Sequence, residues 1–244
     1  MSIPEPRISF ATENAILLKF AEPSLNVSSD HLQGRLHALA RTLQMKAEAR
    51  ALLEDAVVGP ASLLLVLYDG RHAEPLLRQA EALWLDAASL PDHTSRVVRI
   101  PVRYGGEMGP DLEHVARATG LAPQEVIARH SQGRYRVDCL GFLAGFAYIG
   151  GLDSSLYCAR KTVPAIRIAP GSIAIGGTRT GIYPTESPGG WHIIGRTGLC
   201  LFDPARPEPS LLQPGDEIRF EIMPDDASTD AMFQRPEDSR QTHD

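Results

Sequence analysis

The chain has 244 residues, 43% hydrophobic, 22% charged and 6% aromatic, with a formal net charge of -6. That apolar fraction supports a real core and excludes a wholly disordered protein, and the length suits two domains better than one. The acidic balance argues against nucleic acid or an anionic membrane surface as the main partner, yet leaves room for a small anion held by a few arginines.

Read in chain order, Arg7 to Phe20 is rich in β-branched and apolar residues around the turn Thr12-Glu13-Asn14, which predicts a hairpin. Ser28, Ser29 and Asp30 offer N-caps for a helix carrying Leu32, Leu36, Leu39 and Leu43 on one face. Leu63 to Tyr68 reads as a strand ended by Asp69-Gly70, and Glu74 to Ala87 as a helix with Leu76, Leu77, Ala80, Leu83 and Trp84 turned inward. Two helices over a small sheet make an α+β sandwich. Ala88 to Ser95 reads as a linker. Val97 to Val102 then opens a second domain, followed by short helices over Asp111 to Thr119 and Pro123 to His130. Seventeen of the 21 glycines lie between Gly105 and Gly198. From Tyr135 onward this composition predicts short strands of a barrel or sandwich, closed by Glu217 to Ile222. The expected boundaries are residues 1–92 and 96–224, with 225–244 a disordered tail.

Cys139, Cys158 and Cys200 are odd in number and widely spaced, without Cys-x-x-Cys, so neither a disulfide framework nor a structural zinc site is expected. Met1 to Phe10 carries prolines and charges where a signal peptide needs apolar residues. Ala56 to Tyr68 is too short and too broken to span a bilayer. These features predict a cytoplasmic chain. No phosphate-binding loop, nucleophile elbow or helical His-Glu-x-x-His occurs, and the eight histidines show no paired ligand spacing, so no metal is expected.

Candidate chemistry lies in the glycine-rich half. The stretch from Tyr104 to Leu112 places Glu107 and Asp111 in a tight loop before a helix. Asp111 suits that helix's N-cap, whereas Glu107 is either an acid-base group or a solvated loop residue. His130 ends a helix, where a cation suits the dipole, and is the other acid-base candidate. Between Gly176 and Thr197, closely spaced glycines accompany Arg179, Thr180, Tyr183, Trp191 and Arg196. Amides, hydroxyls and two guanidinium groups there could cradle a carboxylate or phosphate, and tight barrel turns are the other reading of the same residues.

The block Tyr104-Gly105-Gly106-Glu107-Met108-Gly109-Pro110-Asp111-Leu112 resembles that of the Kip-type kinase inhibitor and allophanate-hydrolase subunit 1 family. So do the segment Leu140 to Leu152, Thr180-Gly181-Ile182-Tyr183-Pro184, Ser187-Pro188-Gly189-Gly190-Trp191 and Ile194-Gly195-Arg196-Thr197. The likeness runs from about Ile8 to Phe220. It implies a small ferredoxin-like α+β domain followed by a cyclophilin-like β-barrel. It also implies a subunit of an ATP-dependent 5-oxoprolinase, using ATP with magnesium in a complex with a C-type sister subunit (allophanate hydrolase subunit 2-like) and a lamB-type subunit. The alternatives it leaves are an inhibitor that docks on a sensor histidine kinase and half of a urea- or allophanate-type biotin-dependent carboxyltransferase. Neither a nucleic acid nor a membrane is an expected partner. Under this resemblance Glu107 and His130 become the acid-base candidates, and Arg179, Thr180, Tyr183, Trp191 and Arg196 the substrate-binding ones. Ala144 and Ala147 stand where the family commonly has proline, and Ala165 where it commonly has arginine.

Overall fold

The computed structural model describes residues 5–21, 29–86 and 96–224. The expected linker at 88–95, the tail at 225–244 and the Ser28 cap lie outside the described residues. Contacts divide the chain into two compact units, Met1–Thr94 and Ser95–Asp244.

In the first unit, β1 (Arg7–Thr12) and β2 (Ala15–Lys19) form the expected hairpin, and α1 (Ser29–Met45) follows. A single turn, α2 (Ala47–Arg50), leads into β3 (Leu53–Gly59), β4 (Ser62–Leu67) and α3 (Ala73–Leu85). The sheet is antiparallel with order β1-β2-β4-β3. That is the ferredoxin-like sandwich entered one strand early, with two hairpins each followed by a helix. Leu32, Leu36, Leu39 and Leu43 of α1 and Leu76, Ala80, Leu83 and Trp84 of α3 are buried against Leu63, Leu65 and Leu67 of β4. The guanidinium of Arg35 lies 4.7 Å over the Trp84 ring and ties the two helices together.

The strand β3 and the turn α2 were not expected from the sequence. Leu53-Glu54-Asp55 reads as polar because β3 is an edge strand with much of its surface in solvent. Its hairpin with β4 turns at Gly59-Pro60-Ala61, where Ala61 adopts a left-handed φ of 46°. Gln33 holds this turn from α1, donating to the Gly59 carbonyl at 3.1 Å and accepting from the Ala61 amide at 3.2 Å.

The second unit opens with β5 (Val97–Tyr104), then α4 (Leu112–Thr119) and α5 (Pro123–Gln132). β6 (Tyr135–Leu140), β7 (Ala147–Gly150), β8 (Ala165–Ile168), β9 (Ser172–Gly176), β10 (Arg179–Ile182), β11 (Ser187–Gly189), β12 (His192–Arg196) and β13 (Glu217–Ile222) follow. Seven of these strands close a barrel in the order β10-β7-β6-β13-β5-β12-β9, while β8 and β11 pair apart from it. The first and last strands, β5 and β13, run parallel, from Glu217 beside Val97 to Ile222 beside Val102. Ile100, Val102, Val137, Ile149, Ile173, Ile175, Ile182 and Ile218 fill the interior, and none of them reaches solvent. Both helices pack on the barrel, α4 against β12 and α5 against β13.

Candidate functional site

Four of the expected site residues sit in the packed interior. His130, in the last turn of α5, is completely enclosed. Thr180 on β10 donates its hydroxyl hydrogen to the Ala174 carbonyl at 3.0 Å, so its oxygen is left to accept from His130 Nε2 at 3.0 Å. The Nδ1 of His130 then carries the lone pair that accepts from the Tyr104 hydroxyl at 2.8 Å. Burial pushes His130 down to about 3, so the ring is neutral. His130 and Thr180 thus form a strut linking α5, β5 and β10, out of reach of a substrate in solvent. Tyr183 and Trp191 are likewise buried, in a cluster with Phe146, whose ring meets both edge-on at 5.2 and 5.7 Å.

The two arginines go separate ways. Arg179 donates from Nε to Asp138 at 3.0 Å, a carboxylate 4% exposed. Arg196 lies on β12 opposite Arg103 of β5, and its Nε is buried with no hydrogen-bond partner among the described residues. Glu107 remains exposed in its loop. Asp111 does not cap α4 with its side chain. Its backbone amide donates to the Ile193 carbonyl at 2.8 Å, and its Oδ2 accepts from the Ile193 amide at 2.8 Å and from Lys161 Nζ at 2.7 Å. The neighbouring β-strand and a lysine far along the chain have claimed the carboxylate that local sequence assigns to the helix.

Asp111 instead lines a cavity of about 600 Å³ with His114, Tyr157, Cys158, Arg160, Lys161, Val163 and His192. None of the seven residues expected to bind or catalyse belongs to this lining. The rings of His114 and His192 stack at 4.5 Å, 13° from parallel. His192 donates from Nε2 to the Ala159 carbonyl at 2.9 Å, and burial lowers its basicity. Burial and then the Asp111 charge raise the Cys158 thiol, which is held by a two-way backbone bridge to Gly177. A positive rim of Arg160 and Lys161, one clamped carboxylate and two imidazoles can bind a small anion, orient it and move a proton. Sequence reasoning missed this group because its members come from α4, the 157–163 segment and β12. The one available signal is Lys161, beside Arg160 and one of three lysines in the chain.

Among the described residues, no helix is long and apolar enough to cross a membrane.

Residues 6–212 match the family model described as carboxyltransferase domain, subdomain C and D. The B subunit of 5-oxoprolinase from Haemophilus influenzae is 38% identical over 209 residues, covering 86% of this chain and 94% of that protein. The protein of the same name from Escherichia coli O157:H7 is 40% identical over 211 residues, covering 85% of this chain and 92% of that one. Among solved structures, TTHA0988 superposes with a TM-score of 0.71 at 37% identity; the match covers 86% of this chain, which spans 40% of that protein. A family match over most of the chain and relatives this similar over nearly their whole length place the protein in the carboxyltransferase-domain family, subdomains C and D.

Proposed function

We propose that this chain is the B subunit of a cytoplasmic, ATP-dependent 5-oxoprolinase that opens 5-oxoproline to glutamate together with C-type and lamB-type partner subunits. The observation that carries this reading is the identity of 38% and 40% to two proteins of that name over more than nine-tenths of their lengths. In that reaction ATP supplies the phosphoryl group that activates the amide oxygen of the ring. ADP leaves, water adds to the amide carbon and the ring C–N bond breaks to give the amine and an acyl phosphate, and a second water releases inorganic phosphate to leave glutamate.

The cavity beside Asp111 fits the substrate end of this task. Arg160 and Lys161 supply cations for the substrate carboxylate, and Lys161 is held in place by its 2.7 Å pair with Asp111. Of the two acid-base candidates, we assign the base to Glu107, which keeps its carboxylate in solvent on the loop leading to Asp111, rather than to the enclosed His130. Magnesium does not fit the cavity. Its one carboxylate is already paired with Lys161 and its other side-chain donors are imidazoles, a thiol and the neutral hydroxyls of Tyr157 and Thr162, whereas magnesium is held through carboxylate and phosphate oxygens. We therefore assign nucleotide and magnesium to the assembled complex rather than to this cavity.

Dependence on partners is supported by apolar side chains at the cavity edge. Tyr157 and Val163 line it and are 42% and 79% exposed, and Ile166 nearby in sequence is 86% exposed. Reconstitution from separately purified subunits tests the reading. Formation of glutamate and ADP should require this chain, the chain should co-elute with its sister subunit at micromolar concentration, and Val163→Glu with Ile166→Glu should separate them. Equal turnover without this chain, or no complex with the sister subunit, overturns it.

A further inference from the structure

We infer that His114, Cys158 and His192 form a binding site for a soft divalent cation, zinc in the first instance, with a fourth coordination position open to the cavity. The inference stands apart from the proposed reaction, because it rests only on the chemistry of these three side chains. The nearest ligand atoms of the two imidazoles and the thiol all lie within 4.8 Å of one another. Tetrahedral zinc with bonds of about 2.0–2.3 Å separates its ligands by roughly 3.3–3.8 Å, so closing the group takes a movement on the order of 1 Å.

The decisive observation is His192. Its Nε2 donates to the Ala159 carbonyl at 2.9 Å, which leaves Nδ1 as the nitrogen with the lone pair. That Nδ1 is buried and has no hydrogen-bond partner among the described residues, in a residue only 4% exposed. A buried nitrogen without a partner carries a cost in stability, because it has given up its hydrogen bond to water and gained none. A cation bound at this lone pair removes that cost. An imidazole that donates one N–H to a backbone carbonyl while presenting the other nitrogen has the outer-shell arrangement of most histidine metal ligands.

The other two ligands complete the set from different elements. Cys158 is 6% exposed, and its backbone is fixed to Gly177 by bonds of 3.3 and 2.7 Å, so the thiol is held while the metal binds. On binding, the thiol gives up its proton to solvent and the sulfur donates to the metal as thiolate. His114 is the movable member. It is exposed on α4, and because its ring is stacked nearly parallel to that of His192 it turns about its side-chain torsions to direct a nitrogen at the cation. Imidazole and thiolate together select zinc, cobalt or copper over magnesium and calcium. Three protein ligands beside an open cavity is the pattern of zinc sites that keep a position for water or substrate.

The test uses the full chain, stripped with a chelator and titrated with cobalt(II), then with zinc in competition. One equivalent of cobalt should bind and give tetrahedral visible bands with a thiolate-to-cobalt charge-transfer band in the near ultraviolet, and zinc should displace it. Cys158→Ser should abolish the charge-transfer band, and Cys200→Ser should leave it intact. His114→Ala alters an exposed side chain and keeps the fold, and it should weaken cobalt affinity at least about a hundredfold. His192→Ala should do the same, and zinc should raise the melting temperature of the parent chain but not of Cys158→Ser. Binding of less than a tenth of an equivalent overturns the inference. So does a charge-transfer band that survives Cys158→Ser, or an affinity unchanged in a folded His114→Ala chain.

Discussion

Replacing His130 by leucine should remove this ring's share of the barrel's pH dependence over the range where the buried ring resists protonation. The parent ring sits at about 3 in the folded chain because burial disfavours its charged form, against 6.5 when exposed. Its folded value is therefore depressed. Above pH 6.5 neither state binds the proton and the ring contributes no pH dependence. As the pH falls from 6.5 toward about 3 the unfolded chain holds one proton more than the folded one, and stability falls by about 1.4 kcal/mol per pH unit. At pH 4.5 that amounts to about 2–3 kcal/mol. Leucine removes the titration but leaves the Tyr104 hydroxyl without the acceptor it has at 2.8 Å, a loss of about 1–3 kcal/mol at every pH. His130→Leu should thus be the weaker chain at pH 7, and the gap should close or reverse by pH 4.5. Urea titration followed by fluorescence in a Trp84→Phe background, where Trp191 alone reports on the barrel, measures both curves. Curves that stay parallel from pH 6.5 to 4.5 would refute the enclosed, neutral histidine. Nitrogen NMR of the labelled ring should also show Nε2 carrying the proton.

Two further substitutions separate packing from chemistry. Gly176→Ala places a Cβ 2.4–2.5 Å from the Trp191 ring and should cost about 2–3 kcal/mol, seen as a lower melting temperature, whereas Gly190→Ala, with its nearest neighbours at 3.7 and 3.9 Å, should be tolerated. Arg196→Lys removes a buried Nε that has no partner among the described residues, and it should lower kcat/KM of the assembled complex by roughly ten to a thousandfold with little change in melting temperature if that nitrogen serves an anion; loss of stability with unchanged activity would make Arg196 a brace of the barrel.

Much of the fold was legible because its signals are periodic and local. The leucines at 32, 36, 39 and 43 point to one buried face, and all four are indeed buried. The hairpin at 7–20 and the last strand at 217–222 also lie where the apolar runs place them, whereas the parallel pairing of that strand with β5 has no signal in the sequence. The strand at 53–59 was not legible, since an edge strand with one partner has little buried surface to write into its pattern. The candidate site was the least legible part. Local rules give Asp111 to its helix and His130 to a helix end, while the folded chain gives the first to Ile193 and Lys161 and the second to Tyr104 and Thr180. Neither choice leaves a trace in spacing.

The glycine-rich segments that read as an anion cradle act one step removed from any ligand. A Cβ at Gly189 would fall 2.3 Å from the Tyr183 hydroxyl, and one at Gly176 would enter the Trp191 ring, so both glycines are needed for aromatic packing. The same segments then offer their backbone to the cavity's edge. Gly177 exchanges two hydrogen bonds with Cys158, Gly190 accepts from the Lys161 amide at 2.7 Å, and His192 donates to the Ala159 carbonyl. The residues from Cys158 to Lys161 are thereby fixed from three sides by the segment that follows Gly176. A substitution at Gly176 that pushes Trp191 outward would therefore displace Cys158 and Lys161 without touching either, and would disturb metal and anion binding in proportion to its loss of stability.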